Sequence, residues 1–258
     1  MDAKIAPTDR DFITALARGL EVLQACGTSE AGLSLAQLAQ RAGLSRGTAR
    51  RFLLTLGALG YVESDGRLYH LTPKVLALGN AYLGSTPLPR VSRPFLERIS
   101  RQLNASCSLS ILDGAEIVYV ARVQTGRIMA VDLGVGSRLP AAATAMGRVL
   151  LAALPAEDLQ QWLRDTPLVS YTERTVVDPD AFTALIGDVA RQGYCIVDQE
   201  LEPGLRSIAV PVRCASGTVT AALNIGAQAA RIRLAELEES CLPVLRTAAA
   251  EMRELLIG

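Results

Sequence analysis

The chain has 258 residues, half of them hydrophobic, enough for two ordinary cores rather than one small module. Its 26 basic and 26 acidic residues cancel, so no global field drives it onto nucleic acid or a membrane, and any DNA affinity must come from a local patch. The five cysteines, Cys26, Cys107, Cys195, Cys214 and Cys241, form no Cys-x-x-Cys pair and no apolar run suits secretion or membrane spanning, so a cytoplasmic protein with reduced, buried thiols and no membrane partner is expected.

In chain order, Ile13, Leu16, Leu20 and Leu23 recur at helical spacing and predict a first packing helix from Asp9 to about Cys26, stopped by Gly27. Ser34 suits the N-cap of a second helix, whose Leu35, Leu38, Ala39 and Ala42 fall at i, i+3, i+4, i+7. After a turn at Gly43–Ser45, Ala49, Phe52, Leu53 and Leu56 repeat that pattern, and two short helices across a Gly-containing turn are a helix-turn-helix signature. Residues 61–63 and 68–71 read as strands of a hairpin around Asp65 and Gly66, a candidate wing.

Residues 73–83 are helical in pattern, and the proline-rich stretch 84–94 is read as a linker between a winged helix-turn-helix domain at 1–83 and a second domain at 95–258. In the second domain a helix at about 92–103 precedes strands at 106–112, 117–123 and 128–133. Helices follow at about 143–154, 157–163 and 180–192, then strands at 194–197, 207–213 and 219–225, and a last helix at about 231–256. Grouped strands with hairpin-sized turns predict an α+β fold with a mainly antiparallel sheet flanked by helices.

On the third helix Arg46, Arg50 and Arg51 lie off the apolar face, with Ser45 and Thr48 near its start, and no acidic residue stands between Arg41 and Val62. Three arginines on a helix can be a solvated face and nothing more. The preceding helix-turn and the following hairpin favour the alternative, in which the polar face enters a major groove and arginines meet guanine or phosphate. Arg67 on the wing is a phosphate-contact candidate, or an idle exposed arginine.

These segments also carry a resemblance. The run LAQLAQRAGLSRGTARRFLLTLGALGYVESDGRLYHL at Leu35–Leu71 and LTPKVLALG at Leu71–Gly79 resemble the DNA-binding domain of the IclR family of regulators. GSRLPAAATAMGRVLLA at Gly136–Ala152 and GYCIVDQELEPGLRSIAVPVR at Gly193–Arg213 are similar to that family's effector domain. Within the family, RRFLLTLGALGYV and LTPKVLALGNAYLGSTPLP resemble the subgroup controlling protocatechuate, 4-hydroxybenzoate and β-ketoadipate catabolism. The resemblance implies a linker helix, an effector domain of GAF-like or profilin-like fold, and a homodimer or tetramer on a palindromic DNA operator.

By that resemblance Ala145 and Met146 fall where the family's ligand meets a helix start, Asp198 and Ser207 fall on facing strands and loop, and Ile128 and Val131 belong to an apolar wall. From the residues alone, Gly134 and Gly136 allow a sharp turn into a helix whose small first residues leave amides open to a carboxylate, or Thr144 merely caps that helix. Arg206 either balances Asp198 or meets an anionic ligand, and Glu200 and Glu202 are expected in a solvated loop. An enzyme is disfavoured: the single histidine, His70, sits in the wing, and no metal-ligand cluster, phosphate loop or dinucleotide fingerprint is present, so no cofactor or metal is expected. The remaining alternative is a DNA-binding protein whose large domain only oligomerises.

Overall fold

The computed structural model describes residues 8–125 and 133–256, in two compact units that part between Tyr82 and Leu83. In the first unit, α1 (Thr14–Cys26), α2 (Leu35–Arg41) and α3 (Arg46–Ala58) enclose a small core of Val22, Leu38, Leu53 and Val62. Ser34 caps α2 in a full capping box with Gln37, which satisfies two of the amides a helix start leaves open. The wing is a three-stranded sheet in the order β1 (Leu33–Ser34), β3 (Leu68–Leu71), β2 (Val62–Ser64); the two-residue β1 is too short to show an alternating pattern in sequence. At its turn Gly66 adopts φ +94°, a conformation that favours glycine, and Asp65 accepts the Arg67 and Leu68 amides.

One expectation for α1 is corrected. Ile13, Leu16 and Leu20 are 67, 61 and 49% exposed, while Val22, Ala25 and Cys26 are buried. Only the C-terminal turns of α1 are buried against the rest of the unit, so most of its apolar stripe faces outward.

A 3-10 turn at Pro73–Val75 leads into α4 (Leu76–Ser85), and α5 (Leu88–Leu103) follows almost at once. The expected break in helical structure at 84–94 is therefore confined to about two residues. Pro87 and Pro89 stand at the N-cap and first turn of α5, where a missing N–H costs nothing, and Pro94 is accommodated inside the helix.

The second unit is built on a six-stranded antiparallel sheet in the order β6 (Arg138–Pro140), β5 (Glu116–Val123), β4 (Ser106–Asp113), β9 (Val219–Gln228), β8 (Leu205–Arg213), β7 (Cys195–Asp198). Hairpins join β4 to β5 and β8 to β9. One face packs Cys107, Leu109, Val210 and Leu223 against Leu96 and Ile99 of α5 and Leu245 and Met252 of α10 (Leu242–Leu255). The other packs Ile117, Tyr119 and Val197 against Met146 and Val149 of α6 (Ala145–Leu151) and Phe182 and Ile186 of α8 (Pro179–Gln192), with α7 (Ala156–Asp165) beside them. The expected α+β architecture is observed.

Of the expected strand at 128–133, all but Leu133 lies outside the described residues, and the short β6 went unread. The expected last helix runs without a gap through α9 (Leu234–Glu236), a π-helical turn at Leu237–Cys241 and α10. Pro243 has no N–H for the carbonyl four residues earlier, and the widened turn absorbs the mismatch. All five cysteines are free and buried. No helix among the described residues is long and apolar enough to cross a membrane.

Candidate functional site

Two places on this fold bring chemistry together, one in each unit. On α3 the apolar residues Ala49 and Leu53 are turned into the core, which leaves Arg46, Arg50 and Arg51 exposed on one helix surface. Among the described residues none of the three, nor the exposed Arg67 on the wing, forms an ion pair with a carboxylate. Ser45 caps α3, accepting the Thr48 amide at 3.1 Å, and the two hydroxyls lie 2.9 Å apart. The cap sets the helix start and leaves both hydroxyls at an exposed N-terminus, a suitable place for a phosphate oxygen.

In the second unit a small cavity lies between the sheet and the start of α6. Ser106, Tyr119, Arg122, Leu205, Ser207, Asn224 and Gly226 of the sheet line it, with Ala143–Met146 and Leu201 completing the lining. Strand alternation explains the polar floor. Ser106, Ser108 and Ser110 share one face of β4 while Cys107 and Leu109 share the other, and Asn224 pairs with Ser108 across the β4–β9 ladder.

A β-bulge completes this floor. Ser110 pairs with Tyr119 but Leu109 pairs with Ala121, so Val120 is an extra residue. Without it Tyr119 and Arg122, three apart, would point to opposite faces; with it both meet the cavity, and the Arg122 guanidinium lies 5.2 Å from the Tyr119 ring centre. Arg122 donates to Ser108 Oγ at 2.8 Å, while its buried Nε has no hydrogen-bond partner, and neither does the buried Oδ1 of Asn224. Buried polar atoms are rarely left so, and two at one cavity mark a place prepared for a polar guest. Burial pushes the Tyr119 phenol up, with the Arg122 charge opposing it.

Of the residues singled out in sequence, Ala145, Met146 and Ser207 line this cavity together, and Met146 Sδ also accepts from Ser110 at 3.1 Å. Asp198 does not line it. It sits opposite Arg206 at the ends of β7 and β8, bonded to Arg206 Nε at 2.5 Å and Arg174 Nη1 at 2.6 Å. Burial alone would raise its carboxyl; hydrogen bonds from Arg206 and Gln199 and the Arg174 charge outweigh that and hold it below the usual range. Ile128 and Val131 lie outside the described residues. Thr144 does cap α6, accepting the Gly147 amide at 3.0 Å.

The expected solvated loop around Glu200 is corrected. Glu200 is buried and forms a two-pronged ion pair with the fully buried Arg148, at 2.7 and 2.5 Å. Arg122, Asn224 and this ion pair are what sequence reasoning missed. A signal for the floor was the alternation Ser-Cys-Ser-Leu-Ser at 106–110, and one for the pair was a lone arginine inside an otherwise apolar helix.

The C-terminal 80–253 match the family model "Bacterial transcriptional regulator IclR C-terminal", and residues 15–66 match "IclR helix-turn-helix domain". The chain is 49% identical over 251 residues to the Pca regulon regulatory protein of Pseudomonas putida, covering 97% of this chain and 86% of that protein. It is 38% identical to the p-hydroxybenzoate hydroxylase transcriptional activator of Acinetobacter baylyi, over 95% of this chain and 93% of that one. Among solved structures, it is similar to a double mutant of the PobR transcription factor inducer-binding domain from Acinetobacter, in complex with 3-hydroxybenzoic acid. The TM-score is 0.63 at 36% identity, over 65% of this chain and 98% of that chain. With a helix-turn-helix unit followed in the chain by a cavity-bearing α+β unit and both family models matched, this chain belongs to the IclR family of bacterial transcriptional regulators.

Proposed function

We propose that the protein binds a palindromic operator through residues 1–83, is joined by a linker at 84–94 to an effector domain at 95–258, and there senses a small carboxylic acid of aromatic catabolism. Protocatechuate, 4-hydroxybenzoate and β-ketoadipate share the carboxylate that the cavity suits. The observation that carries this reading is Arg122: a cation at the cavity floor whose buried Nε lacks a partner beside the unsatisfied Asn224 oxygen. A carboxylate accepting from a guanidinium gains a charge-assisted bond, and Ser207 can add a hydroxyl donor. Ala145 and Met146 close the facing wall, Ile128 and Val131 are proposed to extend its apolar part, and Asp198 acts from behind by holding Arg206.

In the DNA unit, Arg46, Arg50 and Arg51 are proposed to enter the major groove, Ser45 and Thr48 to hold phosphate at the helix start, and Arg67 to meet the backbone from the wing. The exposed Ile13, at the N-cap of α1, Leu16 and Leu20 of α1, and Leu76, Leu78 and Tyr82 of α4 are proposed to supply apolar surface for a second copy. A homodimer or a tetramer acting on cytoplasmic DNA is the assembly proposed.

Calorimetry of the full-length protein against the three acids tests the sensor reading. Binding of at least one acid, lost in Arg122→Met, is expected. Heats no larger than dilution for all three would favour a large domain that only oligomerises.

A further inference from the structure

We infer that the buried Arg148–Glu200 ion pair is a positioning device that sets the affinity of the cavity without touching its guest. This rests on the reading of that cavity as the effector site. Leu201, in the loop that joins β7 to β8, and Leu205, the first residue of β8 after it, are two of the cavity's walls. That loop begins at Gln199 with φ +61°, a left-handed conformation that a non-glycine side chain adopts at a cost and keeps only where the surroundings over-determine it.

The surroundings do so through Glu200. Its two carboxylate oxygens take Arg148 Nη1 and Nη2, and Oε2 also accepts the Val176 amide at 3.2 Å. The carbonyls on either side are bonded as well: Thr172 Oγ1 donates to Gln199 O at 2.8 Å and Thr175 Oγ1 to Glu200 O at 2.6 Å. Arg148 reaches the opposite wall. Its Nε donates to Ala142 O at 2.7 Å, and its guanidinium lies 5.7 Å from the centre of the Phe182 ring. One guanidinium therefore ties the turn before α6, which supplies Ala143 and Thr144, to the loop that supplies Leu201 and leads into Leu205.

Apolar packing could fill the same volume, and replacing a buried ion pair with hydrophobic residues is often neutral or stabilising. What apolar side chains cannot do is hold a strained loop at one register by directed bonds, and register decides whether two walls meet a ligand.

Two measurements on the full-length protein test this. In Glu200→Gln, hydrogen exchange without ligand is expected to quicken at least tenfold at Val176 and across the loop amides, with α10 unchanged. Calorimetry is expected to show at least tenfold weaker binding of whichever acid wild type takes. In the double variant Arg148→Met with Glu200→Leu, the melting temperature is expected to return towards wild type while the affinity stays low. Unchanged exchange in Glu200→Gln, or an affinity that recovers with stability in the double variant, would overturn the inference. Should wild type bind none of the three acids, the sensor reading falls, and the exchange result still decides whether the pair fixes the loop.

Discussion

In the proposed sensor, ligand binding turns on Arg122. Removing a charged donor from a paired carboxylate typically costs about 1.5–3 kcal/mol, so Arg122→Met should weaken acid binding roughly ten- to a hundredfold by calorimetry, with ligand-free operator affinity unchanged. In the DNA unit the opposite separation is expected. Arg50→Ala should lower operator affinity in a mobility shift and, if Arg50 meets phosphate, reduce the salt slope by about one, while acid affinity stays as in wild type. Asp198 offers a pH test. Its depressed carboxyl contributes stability that is fully present above the ordinary value of 3.8 and is lost as pH falls through its lower folded value. The gap in melting temperature between wild type and Asp198→Asn should therefore be widest near neutrality and close in acid. Single residues were legible in sequence where a local pattern surrounded them, as for Arg46, Arg50 and Arg51 on α3. Glu200 was not, because the arginine that pulls it out of solvent is 52 positions away.

At the scale of elements, the helices and the β4–β5 and β8–β9 hairpins follow from periodicity and turn residues, and most of them stand where the pattern put them. What escaped were features set by tertiary contact. The bulge at Val120 leaves no mark in composition, yet it decides that Tyr119 and Arg122 share a face. The outward stripe of α1 has the same spacing as a buried one, and only the packing of the folded unit separates the two. Packing at α6 is the sharpest element-level constraint: a Cβ added at Gly147 would lie 2.1 Å from the Ala141 carbonyl oxygen. Backbone cannot give way there as a flexible side chain would, so Gly147→Ala should cost about 1–3 kcal/mol, read as a lower melting temperature. It should also weaken acid binding, since the displaced turn carries Ala143 and Thr144 into the cavity.

For the whole molecule, a cavity in one unit and a basic helix in the other make a switch only if the acid prefers one conformation of the assembly, because equal affinity for both shifts nothing. The proposed linker at 84–94, largely helical, is where such a preference would be passed on. The most direct test is a mobility shift on the protein's own upstream intergenic DNA at fixed salt, with and without each of the three acids. A specific complex whose apparent affinity changes at least fivefold with one acid, and not with that acid in Arg122→Met, is the predicted result. A specific complex indifferent to an acid that calorimetry shows to be bound would contradict the account, for it would leave the cavity occupied and the DNA unaware of it.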